Sequence, residues 1–382
     1  MKLAIVGAGF MADIIAKRAR SLNITTYCFA WEKGAVAKDS VDYFYPVSVL
    51  EKETILEICR ENNIDGIIAG ASISIATTAY VAEQLHLLGN SVEIASNIGN
   101  KYYVREKTKA VNSLGQIKYA EVKTVDEIKR LGFSYPIILK PTNSGGKDGV
   151  VFVNDDSELE DAFCYSTNGH EKVIVEEYIE GKEYSVESLS YRGNHFVLQI
   201  TEKVNSGPPH FVELAHHQPA DLNESIVKKI RSVMNDVFAA VGIMNGPCHS
   251  EIKVKGDEVF LIEINGRLGG DHISYPLTEL STGYPYITGV IQAALGILEP
   301  IDISKYKGGY ASVFFVTKQT ECLKEIFDNC QNEQWCYEKH FESNDLIWLE
   351  KNNGFRINYF IYYSDSAAPI WIKDIMKKQL ID

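Results

Sequence analysis

The stretch EIKVKGDEVFLIEINGRLGGD, Glu251–Asp271, decides how the rest of the chain is read. It has the pattern of a β-hairpin. Val259-Phe260-Leu261-Ile262-Glu263-Ile264-Asn265 is apolar and β-branched and follows a Lys-Gly-Asp-Glu turn. Side chains of a strand alternate between faces, so Glu263 and Asn265 share one face, opposite Phe260, Ile262 and Ile264. A turn centred on Asp257 puts Glu251 directly across from Glu263. Two carboxylates and an amide oxygen then converge, an oxygen-only set suited to Mg²⁺. Arg267 follows two residues later, and Gly269-Gly270 lets a backbone approach a ligand closely. The same pattern also fits a half-exposed hairpin whose acids are merely solvated.

Composition narrows the setting. The 382 residues suffice for two or three domains, and 45% hydrophobic with 23% charged residues is ordinary for a globular protein. A net charge of −13 argues against a sequence-independent nucleic-acid binder. The seven cysteines (Cys28, Cys59, Cys164, Cys248, Cys322, Cys330, Cys336) form no CxxC pair and are odd in number, so reduced thiols in a cytoplasmic protein are expected. The first apolar run is too short for a signal sequence, and no later segment is long enough for a membrane span.

The first hundred residues alternate strands and helices. Strands are expected at 2–6, 25–30, 66–69 and about 93–95, with helices near 11–22, 51–63 and 74–87. This is the pattern of a parallel, doubly wound sheet. Gly7-x-Gly9-x-x-Ala12 after the first strand, with Glu32 about 20 residues on, matches the dinucleotide-binding fingerprint. An NAD(P)-dependent oxidoreductase is therefore one hypothesis. A tight turn in a Rossmann-like domain without the nucleotide is another.

From residue 97 the texture changes. A basic helix (102–112) and a short helix (122–131) precede Pro136-Ile-Ile-Leu-Lys140-Pro141, a strand carrying one lysine. Thr142-Asn-Ser144-Gly145-Gly146-Lys147-Asp-Gly149 then leads into Val150-Val-Phe-Val153. This is strand, glycine-rich loop, strand. It lacks P-loop spacing, but free N–H groups of such a loop can wrap phosphates. Val173–Val175 runs into Glu176-Glu177-Tyr178-Ile179-Glu180-Gly-Lys-Glu183. That reads either as a solvated loop or as a hinge whose backbone binds adenine.

Taken in order, Lys101, Lys140, the glycine loop, Glu176 to Glu183, Glu251 and Glu263-x-Asn265 resemble the ATP-grasp superfamily. A narrower likeness lies in Phe211-x-Glu213-x-x-His216-x-x-Pro219 and Glu263-Ile-Asn265-x-Arg267-x-Gly269-Gly270. These resemble stretches of the L-amino-acid and carboxylate–amine ligase branch, which has biotin carboxylase-like and carbamoyl phosphate synthetase-like relatives. Gly266 stands where that branch commonly has a proline.

The resemblance implies an α/β and α+β fold: a Rossmann-like leading domain (1–98), a two-subdomain ATP-grasp core (99–300, with a lid subdomain at about 115–185) and a small β-rich C-terminal region (301–382) packing on the core. It implies that Lys101, Lys140, Ser144, Gly145, Gly146, Lys147, Glu176, Tyr178, Ile179 and Glu183 bind ATP, with Glu176 at the adenine amino group and Glu183 at the ribose. Glu251, Glu263 and Asn265 would hold Mg²⁺, with Mn²⁺ as an alternative ion. Glu213, His216, Arg267 and Gly270 would line the substrate pocket, and Arg267 would bind the carboxylate or acyl phosphate.

The implied activity joins a small-molecule carboxylate to an amine, with an amino acid as one candidate, through an acyl phosphate made from ATP. A bicarbonate- or formate-activating enzyme is the neighbouring alternative. Nucleic-acid and membrane partners are not expected, and a homodimer is the default assembly.

Overall fold

The computed structural model describes residues 1–145, 148–168, 172–208, 211–349 and 358–381. The described residues form three sheets. The first contains β1 (Lys2–Val6), β2 (Thr25–Phe29), β3 (Tyr43–Tyr45) and β4 (Gly66–Ala69), all parallel in the order β3-β2-β1-β4. The second contains β5 (Tyr119–Val122), β6 (Ile137–Pro141), β7 (Val151–Val153) and β8 (Val173–Glu177), antiparallel in the order β5-β8-β6-β7. The third is an eight-stranded antiparallel sheet of β9 (Lys182–Tyr191), β10 (Asn194–Asn205), β11 (Glu213–Gln218), β12 (Gly246–Lys255), β13 (Glu258–Asn265), β14 (Tyr310–Phe315), β15 (Cys336–His340) and β16 (Tyr359–Ser364). Its order is β13-β12-β9-β10-β11-β14-β16-β15. The mixed α/β and α+β architecture expected from the sequence is present, and the strands after residue 300 extend the large sheet through β11.

The large sheet owes its shape to period-two alternation. Tyr184, Val186, Cys248, Ile252, Leu261 and Ile264 pack into one apolar cluster on one face. The helix Glu224–Val241 covers that face. Its buried residues, Ile226, Ile230, Val233, Met234, Val237, Phe238 and Val241, recur at three- and four-residue spacing and form one stripe. Asn223 caps the helix by accepting a hydrogen bond from the Ile226 N–H, and Gly242 closes it at φ +86°. The opposite face of β9, β10, β12 and β13 carries ionisable side chains, described below.

The hairpin of β12 and β13 departs from the expected geometry in an instructive way. Lys255 pairs with Glu258, so the turn is the two residues Gly256-Asp257, with Gly256 at φ +57°, and is not centred on Asp257. Carried straight along the ladder, that turn would put Glu251 opposite Ile262. A β-bulge between Glu251 and Ile252 absorbs one residue of β13, and Glu251 pairs with Glu263 after all. The bulge also changes which side chains share a face. Leu261 and Ile264 face the apolar cluster, whereas Ile262 lines the cavity beside Glu263.

One further expectation fails. Residues 93–95 are not a strand but part of the helix Val92–Asn97, started by Ser91, whose hydroxyl accepts from the Ile94 N–H. The short apolar run there has helical capping chemistry, and capping decides a segment of that length. Among the described residues no helix is long and apolar enough to cross a membrane.

Truncating Phe238 removes the largest side chain that the long helix buries. Phe238→Ala is expected to cost about 3–5 kcal/mol in urea unfolding.

Candidate active site

A cavity of about 350 Å³ lies between the charged face of the large sheet and the small antiparallel sheet. Lys101, Lys140, Ser144, Glu176, Tyr178, Ile179, Glu183, Glu213, His216, Glu251, Glu263, Asn265, Arg267 and Gly270 all line it. The structure thus brings together residues spread over about 170 positions of sequence. Gly145 is described but is not among the lining residues, and Gly146 and Lys147 lie outside the described residues.

One end of the cavity is apolar. Ile117, Ile138, Val150 and Phe211 line it, beside Tyr178 and Ile179 in the link between β8 and β9. Phe152 meets Tyr178 edge to face at 4.8 Å. The link is held by its backbone: Tyr178 N–H donates to Pro136 O at 3.2 Å, and Lys253 Nζ donates to Ile179 O at 2.9 Å.

Next to this end is a buried ionic clamp. Lys140 Nζ lies 2.6 Å from Glu176 Oε2, and Arg105 Nε lies 2.9 Å from Glu176 Oε1. Burial opposes the charge on Glu176, but Arg105 and Lys140 outweigh it and hold the carboxyl below its ordinary range. Burial, together with Arg105 and Lys101, pulls Lys140 below the usual lysine value against the attraction of Glu176. With both carboxylate oxygens engaged by cations, Glu176 serves to fix Lys140. Arg105 is the member the sequence did not reveal. It lies on the helix Lys101–Thr108, which the sequence marked only as a basic helix at 102–112.

The back of the glycine-rich loop is anchored. Gly149 has φ +69°, and a Cβ there would come within 2.6 Å of Pro141, so no other residue fits. Ser166 Oγ donates to Gly149 O at 2.8 Å. At the front, Lys101 Nζ donates to Ser144 O at 2.7 Å and lies 3.4 Å from Glu263 Oε2. Asn265 Nδ2 donates to Glu263 Oε1 at 2.7 Å.

Two groups found only in the structure dominate the charged face. Lys203 on β10 is buried, with Nζ at 2.7 Å from Glu183 Oε1, 3.0 Å from Glu213 Oε1 and 2.7 Å from Glu251 Oε1. Burial opposes its charge, but the three carboxylates prevail and hold it well above the usual lysine value. His249 shares the face of Glu251. Its Nδ1 lies 2.5 Å from Glu187 Oε1, and Nε2 lies 3.8 Å from Glu251 Oε1. Ser274 Oγ donates to the other oxygen of Glu187 and accepts from the Gly269 N–H at 2.6 Å. A Cβ at Gly269 would meet His249 Nδ1 at 2.6 Å. Gly269 is therefore required by this histidine–carboxylate pair and not by a ligand, whereas Gly270 is open to the cavity. Reading back two residues from Glu251 reaches His249, and reading on four from Glu183 reaches Glu187, both by alternation.

His216 and His217 divide as adjacent strand residues must. His216 lines the cavity, while His217 turns away to Ser312 Oγ at 2.9 Å. Arg267 is held by its own loop, with Nη1 donating to Leu268 O at 2.7 Å, and reaches the segment after β4, with Nε donating to Ser72 Oγ at 2.6 Å.

The Gly7–Ala12 turn does not assemble a dinucleotide site. Gly7, at φ +106°, packs against Gly70 and Ala71, where a Cβ would come to 3.3 Å of both. Glu32 is exposed and paired with Lys38 at 2.8 Å. It is not among the residues lining the cleft beside this turn, which come from Phe10, Met11, Ala69–Ser72, Arg267, Leu268 and 270–272.

With this geometry in hand, the relatives are informative. The ATP-grasp domain family matches residues 133–275. That span holds the glycine loop, the link after β8, Lys203 and the paired glutamates. Over that span the chain is similar to ATP-grasp domains. The chain is 25% identical over 258 residues to dapdiamide A synthase of Enterobacter agglomerans, covering 64% of this chain and 59% of that protein. It is 29% identical over 247 residues to alanine–anticapsin ligase of Bacillus subtilis strain 168, covering 57% and 51%. The chain thus spans less than two thirds of either relative. A formate-dependent phosphoribosylglycinamide formyltransferase of Wolinella succinogenes is 21% identical over 327 residues, covering 84% and 82%. The fold of an L-amino acid ligase from Bacillus licheniformis superposes with a TM-score of 0.77 at 24% identity, covering 99% of this chain and 96% of that one. None of these proteins is an oxidoreductase, and the nicotinamide hypothesis is set aside.

The His249–Glu187 pair has a readable pH signature. Burial disfavours the imidazolium, but Glu187 outweighs it and raises the histidine from 6.5 to about 9. A folded-state value above the unfolded one means that the pair stabilises fully below pH 6.5 and that this stabilisation is lost as pH rises through about 9. In EDTA, thermal stability is expected to fall across that window, and His249→Gln is expected to flatten the fall, as followed by melting at pH steps.

Proposed function

We propose that the chain is an ATP-dependent ligase that activates a small carboxylate as an acyl phosphate and passes it to an amine. The observation that carries this reading is the cavity itself, where Lys101 and Lys140, a paired set of glutamates and Arg267 meet beside an apolar slot. The ATP-grasp match over the same segments supports it, as do the ligase names of the relatives.

In this reading adenine occupies the apolar end, between Ile138, Val150 and Phe211 and the 177–179 link. Its amino group meets backbone carbonyls, because the Glu176 carboxylate is committed to Lys140 and Arg105. Glu183 takes the ribose, and Ser144 and Gly145 lie over the phosphates. Lys101 and Lys140 carry positive charge to them.

Glu251, Glu263 and Asn265 offer carboxylate and amide oxygens on one face, the donor chemistry of Mg²⁺ or Mn²⁺. When bound, such an ion neutralises phosphate charge. Arg267 presents a planar guanidinium suited to a carboxylate or acyl phosphate, with Glu213, His216 and Gly270 around it.

The chemistry then follows from charge. A carboxylate oxygen attacks the γ-phosphorus, the bond to the β-phosphate oxygen breaks, and ADP leaves. The chain's contribution is to align the two anions and to cancel their repulsion with Lys101, Lys140 and Arg267. The amine attacks the acyl carbon, the C–O bond to phosphate breaks with its electron pair on phosphate, and the proton lost by the amine nitrogen leaves with the phosphate or to water. Acyl phosphates hydrolyse, so the glycine-rich loop serves to exclude water.

The domain division at about residues 98 and 300, with a lid at 115–185, and a cytoplasmic setting complete the proposal. The seven cysteines are free thiols, which agrees with a reducing compartment. A formate- or bicarbonate-activating enzyme is the second reading, motivated by the formate-dependent relative that matches most of the chain.

A screen of amino acids and small acids, singly and in pairs, for ADP release tests both readings. ADP formation that requires an acid plus an amine is expected. Formation with formate or bicarbonate instead selects the second reading, and no acid-stimulated ADP release at all would sink both. Glu263→Ala is expected to lower the rate about 100-fold or more, and an unchanged rate would remove Glu263 from the metal set.

A further inference from the structure

The ammonium of Lys203 is central to the site yet has no part in the chemistry proposed for it. It lies on β10, and its three partners come from β9, β11 and β12, three of the strands on either side of it in the sheet. An ammonium has three N–H donors; Lys203 donates to Glu183 and Glu251, and Glu213 lies within ion-pair distance. Its partners are the groups assigned to the ribose (Glu183), the acid pocket (Glu213) and the metal (Glu251). The second acid of the metal set is similarly placed, with Lys101 Nζ 3.4 Å from Glu263 Oε2.

We infer that Lys203 is a positioning residue that holds Glu251 through one oxygen and competes with a divalent cation for it, so that metal enters the site with the nucleotide and not before it. The inference rests on the metal assignment made under the proposed function. Its physical basis is local. Glu251 Oε1 is engaged at 2.7 Å, so a metal that uses this oxygen must displace the ammonium. A positive charge at that distance also repels a bare divalent ion strongly in a buried setting. Phosphate oxygens arriving with the ion add the negative charge that offsets this repulsion. The arrangement also ties the ribose acid and the acid-pocket glutamate to the same cation, so that the three strands present their carboxylates in fixed relative positions.

Mn²⁺ alone is the probe, read by electron paramagnetic resonance of free ion, with no nucleotide and no turnover. Wild type is expected to bind Mn²⁺ weakly. Lys203→Met is expected to bind it about tenfold or more tightly, and the double variant Lys203→Met/Glu251→Gln is expected to lose that gain. Mg-ADP affinity, read by calorimetry, is expected to weaken in Lys203→Met, because Glu183 and Glu251 lose their common anchor. Lys203→Arg, which keeps the charge, is expected to restore the weak binding of bare Mn²⁺.

If Lys203→Met does not fold, Lys203→Met/Glu213→Gln removes one buried acid with the ammonium and is read the same way. Equal Mn²⁺ affinity in folded wild-type and variant proteins would overturn the inference, as would a gain that survives Glu251→Gln. Failure of the ligase reading shows separately, as absent acid-stimulated ADP release with Mn²⁺ binding unchanged.

Discussion

Burying charge is expensive unless each charge finds a partner, and this constraint organises the molecule around its large sheet. One face of the sheet is ordinary core under a long amphipathic helix. The other gathers Glu183, Glu187, Lys203, Glu213, His249, Glu251 and Glu263, all from adjacent strands. Removing any one member leaves a charge in a place that water reaches poorly. The pairs are therefore both structural and chemical: Lys203 and His249 hold acids in place, and Arg105 with Glu176 holds Lys140. A site assembled this way arrives pre-aligned, and the proposed phosphoryl transfer would draw on that alignment.

Much of this was legible in the sequence, for physical reasons. Alternation along β13 and a glycine-containing turn located the paired glutamates. Lone lysines in apolar strands stood out, and Gly-rich spacing marked the loop. What escaped reading was mostly pairing over long sequence distance. Lys203 is an unremarkable residue in a strand until three acids from other strands surround it. Arg105 lay on a helix read only as basic, and its partner Glu176 is about 70 residues away. The Gly7–Ala12 fingerprint illustrates the converse. Its first glycine, Gly7, satisfies a close packing against Gly70 and Ala71, a need that puts a glycine where a nucleotide turn also has one. Likewise, the expected pairing of Glu251 with Glu263 holds although the turn was misplaced, because a bulge invisible to pattern reading shifts the register back.

The bulge also separates the hairpin into a tip, with its own register, and a stem that carries the functional face. Gly256, Asp257 and Glu258 at the tip are exposed, while Glu251, Glu263 and Asn265 lie on the far side of the unpaired residue. The tip is thus a natural attachment point: a dye, an affinity handle or a short inserted peptide placed there would ride on the β12–β13 stem close to the cavity without disturbing the alignment of its acids.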